Sequence, residues 1–162
     1  MAESSIVKNF RDGTIQVVNG TRTYTVSLEN GNLKVAGYEE GEYQTARIED
    51  RGDFSQRRRT SRKYVSGSFS AYFRDLVDGT NVTLPGILLR RGVCASDTTK
   101  SAIGTEVYTV DIRLTINGTS LGDPSDHVAY MTECRCVVDL EEGDDKDMIS
   151  VSFEIDGFST FT

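Results

Sequence analysis

The chain has 162 residues, of which 27% are charged and 37% apolar, and its formal net charge is −7. That length suits one domain with a real hydrophobic core. The composition excludes a disordered chain, and the acidity argues against a general nucleic-acid binder.

No apolar run approaches the length of a membrane span. The segment "MAESSIVKNF" lacks the basic and apolar regions of a secretion signal, so synthesis in a cytoplasm is expected. Charge is unevenly spread. Arg47 to Lys63 holds seven basic and three acidic side chains, a net of +4, which leaves −11 for the rest of the chain. The strongest acidic run is "DLEEGDDKD", Asp139 to Asp147. Like-charge blocks mark solvated turns or surfaces made for a partner.

Period-2 alternation dominates from the start. "GTIQVVNGTRTYTVSLENGNLKV" holds Asn19-Gly20 and Asn30-Gly31 between strand-like runs. Asn-Gly supplies the positive φ angles of tight hairpins, so a three-stranded meander ending near Ala36 is expected. A fourth strand is expected over Glu42–Glu49, followed by a basic loop and a fifth strand over Lys63–Phe73. In that fifth strand Val65, Gly67, Phe69, Ala71 and Phe73 share a core face. Tyr64, Ser66, Ser68, Ser70 and Tyr72 share a smooth, uncharged one.

"TLPGILLRRG" is the one helix candidate. Thr83 can cap it, Pro85 suits its first turn, Ile87, Leu88 and Leu89 give an apolar side, and Gly92 can stop it. A strand is expected over Thr105–Asn117, with Tyr108, Val110, Ile112, Leu114 and Ile116 on one face. Another is expected over His127–Leu140, with Tyr130, Thr132, Cys134, Cys136, Val138 and Leu140 together. The last, Met148–Phe158, turns Ile149, Val151, Phe153 and Ile155 inward and Ser150, Ser152, Glu154 and Asp156 outward. The fold class is all-β, an antiparallel sandwich or barrel with one short helix.

Catalytic chemistry is hard to place. His127 is the single histidine, and "DPSDHV" gives it only aspartates as neighbours. Cys94, Cys134 and Cys136 have no metal-ligand spacing and read as reduced thiols. "EEGDDKD" lacks the alternating ligands of a calcium loop and reads as an acidic hairpin turn. Arg51-Gly52-Asp53, and the sequons at Asn19, Asn81 and Asn117, read as chance matches. An enzyme would have to work with carboxylates of Asp139 to Asp147 alone, so no enzymatic activity, metal or cofactor is expected.

The Arg57-Arg58-Arg59 cluster has three readings: a solvated loop tip, a nucleic-acid contact, or a socket for an acidic partner. It tips a hairpin whose strands outrun a small core, and overhanging strands find burial on neighbouring subunits. Head-to-tail stacking of like subunits would set this loop against the acidic run.

Several segments together resemble the major tail tube proteins of long-tailed bacteriophages. They are "FRDGTIQVVNG", "GEYQTARIEDRGDFSQRRRTSRKYVSGSFSAYFRDLVDG", "TLPGILLRRG", "VYTVDIRLTI" and "CVVDLEEGDDKDMISVSFEIDG". The match is one of order and texture across nearly the whole chain. The resemblance implies a single domain, residues 1–162, with a long hairpin arm at about 42–73. It also implies six-fold rings stacked into a tube that conducts DNA during ejection.

Carried over by position, Gly52–Arg62 would be the arm tip. Arg51, Asp53, Phe54, Arg57, Arg58, Arg59 and Arg62 would then be the inter-ring contact residues. Glu141, Glu142, Asp144, Asp145 and Asp147 would be their acidic partner patch. Ser66, Ser68, Ser70, Glu154 and Asp156 are the lumen-lining candidates, and the helix would lie on the outer wall. The implied partners are further copies of the chain, a tape measure, a tail tip or baseplate, a terminator and, in a contractile tail, a sheath. DNA passes without binding, no membrane is involved, and the location is the virion tail, assembled in a bacterial cytoplasm. The alternatives are a bacterial secretion-system tube protein of the same fold and a monomeric β-sandwich binding module.

Overall fold

Alternating apolar residues build nearly every strand of the protein. The computed structural model describes residues 13–26, 32–36, 43–50, 53–62, 65–99, 107–157 and 159–161, with 43–62 described through backbone pairing alone. The strands are β1 (Gly13–Val18), β2 (Thr23–Val26), β3 (Lys34–Ala36), β4 (Tyr43–Asp50), β5 (Asp53–Arg62) and β6 (Val65–Tyr72). After the helix α1 (Leu84–Leu89) come β7 (Val110–Ile116), β8 (His127–Glu141), β9 (Met148–Ile155) and β10 (Ser159–Phe161). The protein is an antiparallel all-β fold with one short helix.

The main sheet runs β2-β1-β7-β8-β9-β6-β3, with β10 added beside β8, and β4 and β5 form a separate two-stranded sheet. One core takes Ile15 and Val17 from β1 and Phe69 and Ala71 from β6, strands far apart in the sheet order. The sheet therefore curls around a single interior. The expected inward faces of β7 and β9 are buried as read: Val110, Ile112, Leu114 and Ile116, and Ile149, Val151, Phe153 and Ile155. Each such side chain contributes about 1.5–3 kcal/mol by leaving water. Gly67 keeps its place on the core face because a Cβ there would stand 2.4 Å from the Phe153 ring and 2.7 Å from the Lys34 carbonyl. Phe153 lies directly opposite it and fills the space a side chain would take.

The helix follows its sequence signals with one change. Thr83 Oγ1 accepts a hydrogen bond from the Gly86 amide at 3.1 Å, and Pro85 sits in the first turn. Leu84, Ile87 and Leu88 are buried, whereas Leu89, expected on the apolar side, is exposed. The left-handed residue that ends the helix is Arg90, at φ 54°. Gly92, at φ 57°, makes the next turn where a Cβ would strike the Asp78 carbonyl.

Three strand expectations are corrected. First, the meander breaks after β2. The β1–β2 pair is closed by four residues rather than two, and β3 crosses to the far edge to pair β6. Asn19 does not form a two-residue turn. Its buried side chain accepts from the amides of Thr21 and Arg22 and organises the loop from within. The second Asn-Gly step, Asn30-Gly31, lies outside the described residues.

Second, β8 reverses its faces halfway. Glu133 has φ 55°, and the β7–β8 register slips between Val110↔Cys134 and Ile112↔Met131. An extra residue of this kind turns every later side chain over. Ala129 and Met131 point into the core before the bulge, and Cys134 does so after it. Tyr130 and Thr132 do not share the inward face expected of them.

Third, the arm is composed differently. The basic stretch expected as a loop, Gly52 to Arg62, is mostly strand β5, paired to β4. The strand expected as the arm's second half, Lys63 to Phe73, is mostly β6, which lies in the main sheet between β9 and β3. Backbone pairing needs no apolar side chain, so an arginine run can be a strand.

A buried polar cluster ties the loops at one side of the core. Asp97 accepts from Asn19 Nδ2 at 2.8 Å and from Arg22 Nε at 3.0 Å. Tyr108 donates its hydroxyl to the Ile87 carbonyl at 2.6 Å and lies 3.4 Å from the Asn19 amide. Burial alone would raise the Asp97 pKa. The Asn19 and Arg22 hydrogen bonds outweigh it and hold the carboxyl below its usual value. A depressed carboxyl stabilises the fold above its unfolded pKa of about 3.9 and loses that contribution as pH falls through the folded value. Asp97→Ala strands the Asn19 amide and is expected to cost about 1–3 kcal/mol. Its melting temperature should therefore drop by several degrees at neutral pH. The variant's acid dependence below about pH 4 should be shallower than that of the parent, which thermal melts across pH will check.

Candidate assembly surfaces

The arm is a ribbon with its own ladder, from Tyr43↔Arg62 to Asp50↔Asp53. β5 has ten residues, a reach of about 33 Å at the usual strand rise. Arg47 stands opposite Arg57, and Arg58 and Arg59 follow opposite Ala46 and Thr45. Like charges set directly across a ladder oppose pairing, and a lone two-stranded ribbon is marginal in water. The expected contact residues Asp53, Phe54, Arg57, Arg58, Arg59 and Arg62 all lie on β5, with Phe54 next to the turn, opposite Glu49. Arg51 falls outside the described residues.

The arm is rooted at one end of β6. Arg62 is three residues from Val65, at most about 11 Å of chain. The acidic turn lies at the other end, because the row Tyr72, Met148 and Glu141 closes the β6, β9 and β8 ladders there. Phe73 donates its amide to the Asp147 carbonyl at 2.9 Å, and Lys146 Nζ sits 4.5 Å from the centre of the Tyr72 ring. Glu141, Glu142, Asp144, Asp145 and Asp147 are all exposed there. The eight residues of β6 thus separate the root of the arm from the acidic turn by about 25 Å.

Between the poles lies the serine face. Ser66, Ser68 and Ser70 stand opposite Glu154, Ser152 and Ser150, and these stand opposite Arg135, Val137 and Asp139 on β8. Lys34 and Ala36 of β3 border the row beside Ser68 and Ser66. The face is slightly hollow, with an open concavity of about 460 Å³ over Ser66, Ser68, Arg135, Val137 and Glu154. The structure brings the lumen-lining candidates together on it, except that Asp156 lies just past the end of β9.

Arg135 was not singled out in the sequence. It donates from Nε to Asp156 Oδ2 at 2.8 Å and from Nη2 to Glu154 Oε2. The two carboxylates that gave the face its expected acidity are thus held by one guanidinium. Simple alternation already put Arg135 opposite in face to Cys134 and Cys136; what the sequence did not show is the β8–β9 register that sets it beside Glu154.

β7 stops at Val110↔Cys134, so residues 135–141 of β8 pair β9 on one side and, among the described residues, no strand on the other. At the opposite edge, among the described residues, β3 pairs β6 alone. Among the described residues the stretch β8-β9-β6-β3 is thus a four-stranded ribbon with an open edge on each side.

The cysteines offer little chemistry. All three are free, and Cys94 and Cys134 are buried. Burial pushes the Cys136 thiol up to about 12 and the Cys134 thiol higher still, so neither is a thiolate near neutral pH. His127 Nε2 lies 3.4 Å from Asp123 in a surface loop. Among the described residues no three metal-ligating side chains converge.

No protein-family model matches the sequence, and no curated protein matches it. Solved structures do share the fold. One is a chain of an extracellular contractile injection system, PVC, in its sheath/tube terminator in the extended state. It has a TM-score of 0.59 and 10% identity, with 99% of each chain covered. A chain of the PVC sheath-tube complex in the extended state matches with a TM-score of 0.56 and 10% identity, over 91% of this chain and 87% of that one. A chain of the anti-feeding prophage cap, which terminates that tube, matches at 0.58 and 9%, over 100% of this chain and 94% of the other. The likeness runs the length of the molecule, so the expected tail-tube-like architecture is the architecture found.

Proposed function

We propose that this chain is the structural subunit of a phage tail tube. It assembles as six-fold rings stacked head to tail, with the serine face lining a bore through which DNA passes. The observation that carries the reading is the open-edged band β8-β9-β6-β3. An exposed strand margin invites pairing with another strand. In a ring, the β3 margin of one copy meets residues 135–141 of the next, and the margins disappear when the ring closes. The solved structures of like fold come from tube, terminator and cap assemblies, which supports a role of this kind.

Charge then orders the stack. The basic arm and the acidic turn stand at opposite ends of the same strands, so identical rings meet with unlike poles together. The cation at the centre of the face, Arg135, is held by Glu154 and Asp156, and Lys34 and Asp139 add one charge of each sign, so the wall is on balance acidic. This suits a conduit. Duplex DNA carries about one charge per 1.7 Å, and each free cation set against phosphate adds salt-sensitive grip. At physiological salt, charges are screened over about 8 Å, so a passing duplex still senses its wall.

Negative-stain electron microscopy across concentration and salt tests the assembly. Rings or hollow tubes are expected. A protein that stays monodisperse at every concentration, even with a tail-tip extract added, would overturn the reading in favour of a monomeric binding module. Arg57→Glu, Arg58→Glu and Arg59→Glu together are expected to leave the subunit folded by circular dichroism and to abolish stacking. Tubes of normal length from that variant would remove the arm from the contact. Arg135→Ser breaks an exposed ion pair worth at most about 1 kcal/mol. Its melting temperature should fall by no more than about 4 °C while tubes still form.

A further inference from the structure

The two open margins of the band carry different side chains. On β3, Lys34 stands on the serine face, opposite Ser68, and Val35 stands on the core face, opposite Gly67. Leu33 and Val35 are half-buried against the core, and Lys34 is exposed. On β8, Arg135, Val137, Asp139 and Glu141 belong to the serine face, and Cys136, Val138 and Leu140 to the core face. Val137 is 60% exposed and Leu140 59%, so this margin leaves apolar side chains open on both of its faces.

Direction and parity limit how a second copy can join. β3 runs antiparallel to β6, β6 to β9 and β9 to β8, so β3 is antiparallel to β8. Copies rotated about an axis along the strands keep that relation, and β3 of one copy meets β8 of the next as an antiparallel pair. A slip of one residue would set Lys34 on the face of Val138 and Leu140, so only alternate registers match the faces. Opposite Arg135, Lys34 would meet a like charge, which opposes pairing. Opposite Val137 it would find no carboxylate directly across, and Ala36 would lie against Arg135. Opposite Glu141 it would set Leu33 against Glu142. Opposite Asp139, the cation meets a carboxylate, Leu33 meets Leu140, Val35 meets Val138, and Ala36 meets Val137.

We propose that Lys34 and Asp139 set the register of the joint between neighbouring copies, with Lys34 of one copy directly opposite Asp139 of the next. This register rests on the ring reading above and gives it an address at the level of residues. Within one copy Lys34 shares its row with Val137, by way of Ser68 and Ser152. Each joint therefore staggers the sheet by two residues, and a closed barrel needs such a stagger because its strands tilt. The joint covers the open apolar groups of the β8 margin and pairs one cation with one carboxylate per copy.

A disulfide reads the register directly. Residues directly opposite on antiparallel strands have Cα atoms about 4.5–5.5 Å apart and diagonal ones about 7–8 Å, whereas a disulfide spans no more than about 7 Å. A chain carrying Lys34→Cys and Asp139→Cys, oxidised after assembly, should give a ladder of covalent oligomers that ends at the full ring. Within one chain the two positions are three strand spacings apart, about 14 Å, and cannot join. Lys34→Cys with Val137→Cys, and Lys34→Cys with Glu141→Cys, should give no more than the parent's background. Charge reversal gives a second readout. Lys34→Glu should raise the protein concentration needed for rings at least about tenfold, because like charges then face each other. Lys34→Glu with Asp139→Lys in the same chain should return it close to the parent's.

A ladder from either control pair and none from the Asp139 pair would overturn this register while leaving the ring intact. So would rings from Lys34→Glu at the parent's concentration, or rings that form with no ladder from any pair. A parent chain that never forms rings, with no ladder from any of the three pairs, would overturn the ring reading and the register together.

Discussion

The carboxylate of Asp111 holds the bulge on which the rest of the structure depends. It is 3% exposed, and it accepts from the Tyr130 hydroxyl at 2.7 Å and from the Glu133 amide at 3.1 Å. These bonds satisfy the donor that the left-handed Glu133 removes from the ladder. Beyond this point β8 changes both its inward face and its neighbours. Before it, β8 is a middle strand with β7 and β10 at its sides. After it, β8 pairs β9 and extends past β7. One buried acid thus divides a fifteen-residue strand into a part that builds the core and a part that builds the open band. Burial raises the Tyr130 pKa first, and the Asp111 charge adds to it, so the hydroxyl stays a donor well above neutral pH.

From that division the surfaces follow in order. The overhanging half of β8 carries Arg135, Val137 and Asp139 onto the serine face and sends Leu140 beyond the core. The β8–β9 hairpin then has to turn away from the interior, and its turn is acidic. At the other end, β3 and β6 bring the chain to the root of the arm. A smooth wall, and two margins that pair no further strand among the described residues, are consequences of one sheet that is longer than the interior it covers.

How much of this was legible varies with the physics that governs each part. Strands that bury one whole face wrote themselves into the sequence: the expected inward residues of β9, those of β7 from Val110 to Ile116, and Val65, Phe69 and Ala71 of β6 are all buried, whereas Tyr108, expected in β7, precedes that strand. The capped start of the helix did too. The bulge left no mark, because a non-glycine residue with positive φ looks like any other glutamate in "MTECRC". The crossing of β3 to the far edge depends on long-range pairing, which local alternation cannot encode. β5 read as a loop because its arginines suit solvent. Its pairing is set by the backbone rather than by burial of a side-chain face. The serine face and the two charged ends were visible as patterns. Their placement on one side and at opposite ends of the same strands was not.

The margin formed by residues 135–141 has a further consequence for the free subunit. A long exposed strand beside Val137 and Leu140 is the kind of template on which unfolded or half-assembled chains aggregate. Here Asp139 and Glu141 alternate with those apolar residues, and the acidic turn follows at once. Two such margins brought together in the wrong register repel each other, and the −7 charge keeps single copies apart at a distance. These carboxylates therefore act as gatekeepers, opposing unordered edge-to-edge growth of this margin.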